Sequence, residues 1–268
     1  MDRPGRPRRV AALRRRLFQQ PETSPIPTNL RLLYRIGAVS IAAVGVLYFI
    51  GAALSIALGP APSGDVEYLQ ALADRPTLAR VNFAAFSLVD VLLVPATLVL
   101  YQVLRSSSRR LLLVAGACFA VNLVVDFGVT ELRSFALVDY AQQYAAATSE
   151  AGRSAVLAAA ESTRSVLPIA TLLSFVVSSI GYLLVAIGTW REVFRKAIAA
   201  VGVIGSVEGI LAGFYIFVPA LAGLITPCLV TVGLWAIFVG IRLFRLTLGL
   251  STATVGLGRP TPAPGSTR

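Results

Sequence analysis

The sequence contains no histidine and one lysine, Lys196, beside 23 arginines. Without histidine there is no imidazole metal ligand, general base or near-neutral proton switch. Cysteine is almost as scarce. Cys118 and Cys228 both lie inside apolar runs, with neither a CxxC partner nor a metal-ligand spacing, so they read as small buried residues. No cofactor or metal is expected. There is also little charge: 14% of the 268 residues are charged, against roughly 25% in soluble domains. What fills the chain instead is apolar, 56% hydrophobic with a mean hydropathy of +0.76. An excess of this kind suits a protein whose outer surface meets lipid.

The apolar runs have the length of membrane helices, about 20 residues each. They predict an all-α, polytopic bundle of six transmembrane helices, with spans at about 33–58, 81–104, 111–130, 166–189, 197–218 and 220–244. The first is too long for a signal-peptide core of about 7–15 residues and is read as a retained helix. The fourth has the least defined start, since a helix can enter it from upstream. The stretch 197–246 is too long for one crossing, and Pro219 falls where a tight hairpin would divide it. One membrane domain over 31–248 is expected, between a basic tail at 1–30 and a Gly-, Pro- and Thr-rich tail at 249–268. Both tails are read as disordered, though Val10, Leu13 and Leu17 among arginines also fit a short surface helix.

Arginine tests this topology independently, because cytoplasmic loops collect Lys and Arg. With the N-terminus inside, 19 of the 24 basic residues fall on the inner side. Arg75, Arg80, Arg133, Arg153 and Arg164 remain on the outer side. Adding or removing a span would scramble the alternation. Both termini are therefore expected in the cytoplasm of a bacterial cell, the arginine bias itself resembling GC-rich bacterial coding. The net charge of +11 is accounted for by topology, so no nucleic-acid partner is inferred; the bilayer is the first partner.

Two outer segments are long enough to fold. Residues 59–80 should hold a short helix with Val66, Leu69 and Ala73 on one face. Residues 131–165 should hold another that starts at Ser149 as its cap. Together they predict a small helical lid.

Three carboxylates fall inside the spans: Asp90, Asp126 and Glu208. At 1.5 Å per residue, Asp90 lies roughly 15 Å and Glu208 roughly 17 Å deep, both near the midplane. No Lys or Arg lies at matching depth, and a charged carboxylate there costs several kcal/mol, so such groups should face the bundle interior. Asp126 lies nearer the outer interface, where an ion pair with Arg133, Arg80 or Arg164 is expected. Ser87, Asp90, Thr97 and Tyr101 share one side of the second span. Cys118, Asn122, Asp126 and Thr130 form a stripe on the third, and Thr171, Ser174, Ser178 and Tyr182 another on the fourth. Polar stripes should face protein or a water-filled cavity rather than lipid. The candidate polar site is thus Asp90, Glu208, Asn122, Asp126, Ser174, Ser178 and Tyr182.

Gly205, Gly209 and Gly213 recur every fourth residue in the fifth span, extended by Gly202. This spacing permits close helix contact. In-chain packing is expected, with a second copy as the alternative. Pro95 and Pro168 are candidates for helix kinks.

The segments RIGAVSIAAVGVLYFIGA near the first span, YAAAT and AVLAAAE between 144 and 161, and AVGVIGSVEGILAGF at 200–214 resemble an uncharacterised family of bacterial multi-pass membrane proteins, domain of unknown function 4386. The resemblance covers about 33–244. It implies a six-helix membrane fold, without a defined activity or a transferable site residue.

There is no P-loop, nucleotide motif or soluble catalytic domain. The leading functional reading is a non-catalytic membrane module that binds a membrane protein partner, or a second copy, or stabilises an assembly. A small permease-like transporter using midplane carboxylates is the alternative. An intramembrane enzyme ranks last, its one conceivable acid pair being Asp90 with Glu208.

Overall fold

In the computed structural model, residues 28–190 and 196–256 are described. The expected tail at 1–30 therefore lies almost wholly outside the described residues, as do Arg191, Arg195 and 257–268. Eight helices follow in order: α1 Thr28–Leu58, α2 Asp65–Asp74, α3 Pro76–Val125, α4 Leu132–Ala146, α5 Glu150–Arg164, α6 Leu167–Trp190, α7 Lys196–Gly213 and α8 Ile225–Gly256. Among the described residues six helical segments are long and apolar enough to cross a membrane. The chain is an all-α, multi-pass integral membrane protein.

α3 contains two of the crossings. Its backbone breaks at Ser108 (φ −140°, ψ 31°), and the two arms turn back on each other there. Beyond the second arm, Asp126–Glu131 winds as a π-helix that leads directly into α4. The third span therefore does not stop near Thr130. It runs on because Leu137, Val138 and Ala141 of α4 are themselves buried. The fourth crossing, α6, is joined to α5 by a short turn. Pro168 is the second residue of α6 and does not kink it; a first-turn proline forfeits no helical hydrogen bond. Pro219 opens a 3-10 segment, Pro219–Leu224, so the sixth helix proper starts at Ile225 rather than near 220. It continues helical to Gly256, twelve residues past the end of the span expected from the sequence.

The bundle closes as a ring in which α1 packs on α3 and α8, α3 on α6, α6 on α7, and α7 on α8. Small residues allow the closest approaches. A Cβ on Gly240 would meet the Ala38 carbonyl of α1 at 2.8 Å, and a Cβ on Gly45 would collide with the Gly233 carbonyl of α8. The central core contains Ile41, Val44, Val99, Leu104, Trp235 and Val239, all fully buried. Leucines, valines and isoleucines such as Val124, Ile169 and Leu98 are exposed around the outside, as a lipid-facing surface requires.

α2, α4 and α5 gather at one end around a second, smaller core of Leu69, Leu72, Leu137, Val138, Ala141 and Ala160. Ser149 caps α5, its Oγ accepting from the Gly152 N–H at 3.1 Å. Arg164 then fastens α5 to the segment before α2. It donates to Asp65 at 2.5 Å and to the Pro62 carbonyl at 2.8 Å, and stacks 4.3 Å from the Tyr68 ring.

Candidate functional site

The polar stripes of α3 and α6 meet in the middle of the bundle. Asn122, on the second arm of α3, donates from Nδ2 to Asp90 Oδ1 of the first arm at 3.1 Å. Ser174 of α6 donates to Asn122 Oδ1 at 3.0 Å. All three are buried, Asp90 and Asn122 with 3% exposure each. One side-chain amide thus ties three crossings together, using a donor and an acceptor at once.

Beside this chain is a cavity of about 70 Å³ lined by Asp90, Asn122, Asp126, Ser174, Ser178 and Tyr182, with Tyr48 and Cys228 among the residues completing it. Six of the seven polar positions singled out in the sequence are therefore neighbours. Glu208 is the exception: it does not line this cavity and lies half-buried on α7, near the Cys228 thiol. Equal depth along a helix does not put two side chains on facing surfaces; helix rotation decides that.

Asp126 makes none of the expected ion pairs. Arg80 instead pairs with Asp139 at 2.8 Å, and Arg164 with Asp65. Asp126 stands four residues after Asn122, on the same face of α3, and so points into the bundle rather than toward the lid arginines. The π-helical winding that follows brings Glu131 to that side as well, whereas α-helical winding would leave residues 126 and 131 about 140° apart. Asp126 lines the cavity, and Glu131, at the other end of the segment, is buried with 6% exposure.

Glu131 and Tyr48 were not legible in the sequence as site residues. Glu131 falls just past the apolar run, and only the π-turn carries it inward. Tyr48 stands within a long apolar stretch of α1, yet its hydroxyl lies 2.9 Å from that of Tyr182. Tyr182 is in turn packed edge-on against Phe119 and Trp235, with ring centroids 5.0 and 5.8 Å away. Of this aromatic cluster, Tyr48 and Tyr182 line the cavity.

Three buried carboxyl oxygens, Asp90 Oδ2, Glu131 Oε2 and Glu208 Oε2, have no protein partner among the described residues. Such atoms are rare in folded proteins because each forgoes a hydrogen bond worth keeping. The same residues hold no group of three histidine, cysteine, aspartate or glutamate side chains spaced to bind a metal.

The glycine stripe of α7 is occupied within the chain. A Cβ on Gly202 would meet Trp235 and Ala186, one on Gly205 would meet Val232, and one on Gly213 would meet Val176 and Phe175. Gly209 faces Ser179 and Cys228. α7 is thereby wedged between α6 and α8 and holds the Cys228 wall of the cavity in place.

No curated protein and no solved structure matches the chain. The family described as Domain of unknown function (DUF4386) matches residues 38–245. That match takes in five crossings whole, most of the first, and the whole polar cavity, and the chain belongs to this family.

Proposed function

We propose that this membrane protein takes up and releases protons at the Asp90–Asn122–Ser174 network, in a permease-like role that involves no covalent chemistry on a substrate. The supporting observation is the cavity in which Asp90 and Asp126 lie with no Lys or Arg among its lining residues. Taking a carboxyl out of water without a cation favours the neutral acid, so protonation is the inexpensive way to hold such a group in a bilayer. Volume separates protons from larger cargo. With about 10–15 Å³ needed per water, a space of about 70 Å³ holds a few waters and is small for an organic solute in this conformation. Serines and tyrosines on the wall supply hydroxyls that both donate and accept.

The arginine distribution supports placing the lid outside and both termini in the cytoplasm of a bacterial plasma membrane. The small size of the cavity favours one second reading, a non-catalytic module in which the network only joins helices while the outer surface meets a partner or a second copy.

Infrared difference spectra of the reconstituted protein separate the two. Carboxyl bands that respond to bulk pH and disappear in Asp90→Asn support proton exchange. Bands that stay fixed at every pH at which the fold survives mean a sealed network, and the module reading replaces the first.

A further inference from the structure

A larger cavity lies away from the polar site. It is a groove of about 560 Å³ between the start of α7 and the end of the α8 crossing. Its walls are Ile198 and Val201 from α7 and Phe238 and Ile241 from α8, and Arg242 and Arg245 also line it. The two arginines are one helical turn apart on α8, exposed, and have no acidic partner among the described residues. Phe238 and Ile241 are exposed as well.

Among the described residues the surrounding charge is one-sided. Arg105, Arg109, Arg110 and Lys196 share this end of the bundle. The acidic residues described outside the bundle interior, among them Asp65, Asp74, Asp139 and Glu150, all lie at the lid end. An apolar slot continuous with the lipid-facing surface, ending at paired guanidiniums, has the two-part chemistry of a phospholipid. Guanidinium binds phosphate through two parallel hydrogen bonds, and basic pockets between membrane helices hold acidic headgroups. A soluble anion would have no use for the four apolar walls. A neutral lipid would bring the arginines no net counter-charge.

We propose that this groove is a binding site for an anionic phospholipid, its phosphate at Arg242 and Arg245 and an acyl chain along Ile198, Val201 and Phe238. The site is separate from the polar cavity and does not depend on proton handling.

Native mass spectrometry of the full-length protein in mild detergent, titrated with phosphatidylglycerol or phosphatidylcholine, tests it. Phosphatidylglycerol should bind at least about tenfold more tightly, and R242Q/R245Q should remove that preference. The charge-neutral Val201→Trp, which fills the slot, should weaken phosphatidylglycerol binding while leaving the arginines in place. R109Q/R110Q, at the same end but outside the groove, should change little. Equal binding of the two lipids by the unaltered protein overturns the site. So does an equal loss in R109Q/R110Q, which would mean diffuse attraction to a basic surface.

Discussion

Asn122 Nδ2 donates to Asp90 Oδ1 across the two arms of α3 at 3.1 Å, and this bond joins the polar faces of two consecutive crossings. Because the same amide accepts from Ser174, removing it strands groups on two neighbouring helices. Asn122→Leu should therefore destabilise the protein by about 1–3 kcal/mol, the cost of leaving buried polar groups unpaired. Thermal unfolding in detergent measures it. Ser174→Ala, which leaves the Asn122–Asp90 bond in place, should cost less; an equal loss would contradict the placement of Asn122 at the centre.

Glycine positions should differ sharply within the same bundle. Gly209→Val would drive a side chain into Ser179 and Cys228, and overpacking of this kind costs about 1–3 kcal/mol. Gly116→Ala meets only Thr97 Cγ2, at 3.9 Å, an ordinary van der Waals contact, and should be close to neutral. Parallel melting curves of the two variants check the contrast.

The lid should loosen on its own. Arg164→Gln removes the Asp65 ion pair, the Pro62 hydrogen bond and the stacking on Tyr68. The ion pair is partly exposed, with 24% and 39% side-chain exposure, so it is worth at most about 1 kcal/mol. The expected result is faster hydrogen exchange in α2 and α5 with little change in the six crossings. Slow exchange retained throughout the lid would show that its apolar core alone holds it.

A pH effect on the lid follows from Tyr68. Burial raises its phenol above the ordinary value of 10.0, and Arg164 partly offsets that rise. A raised folded-state value means that the lid's stability is full below about pH 10 and declines as pH climbs through the raised value. Arg164→Gln should push the phenol higher still. Tyrosine ring carbon shifts followed by NMR against pH give both values.

Sidedness is testable with the native cysteines replaced. Ser63→Cys at the lid should react with a membrane-impermeant maleimide in intact cells, and Arg110→Cys at the opposite end only after permeabilisation. The reverse pattern would invert the proposed orientation.

Much of the architecture was legible in the residues because membrane crossing imposes a length and a polarity that a chain cannot disguise. The Ser149 cap of α5 was equally legible, since a capping hydroxyl is a local device. Boundaries blurred where a helix left the bilayer without breaking. α4 continues the third crossing because Leu137, Val138 and Ala141 find burial in the lid, which hydropathy along the chain does not report.

The sequence by itself determined that the chain crosses the membrane, how many apolar helices do so, and which helix faces carry polar groups, because these follow from apolar length and from spacing along one helix. Only the tertiary structure decided which polar faces meet. It brought Asp90, Asn122 and Ser174 together, added Tyr48, turned Glu131 inward through a π-helical segment, and left Glu208 outside the cavity. Depth in a bilayer is a one-dimensional property that residue position supplies. Facing is a rotation, set by how glycines and aromatic side chains on neighbouring helices interlock.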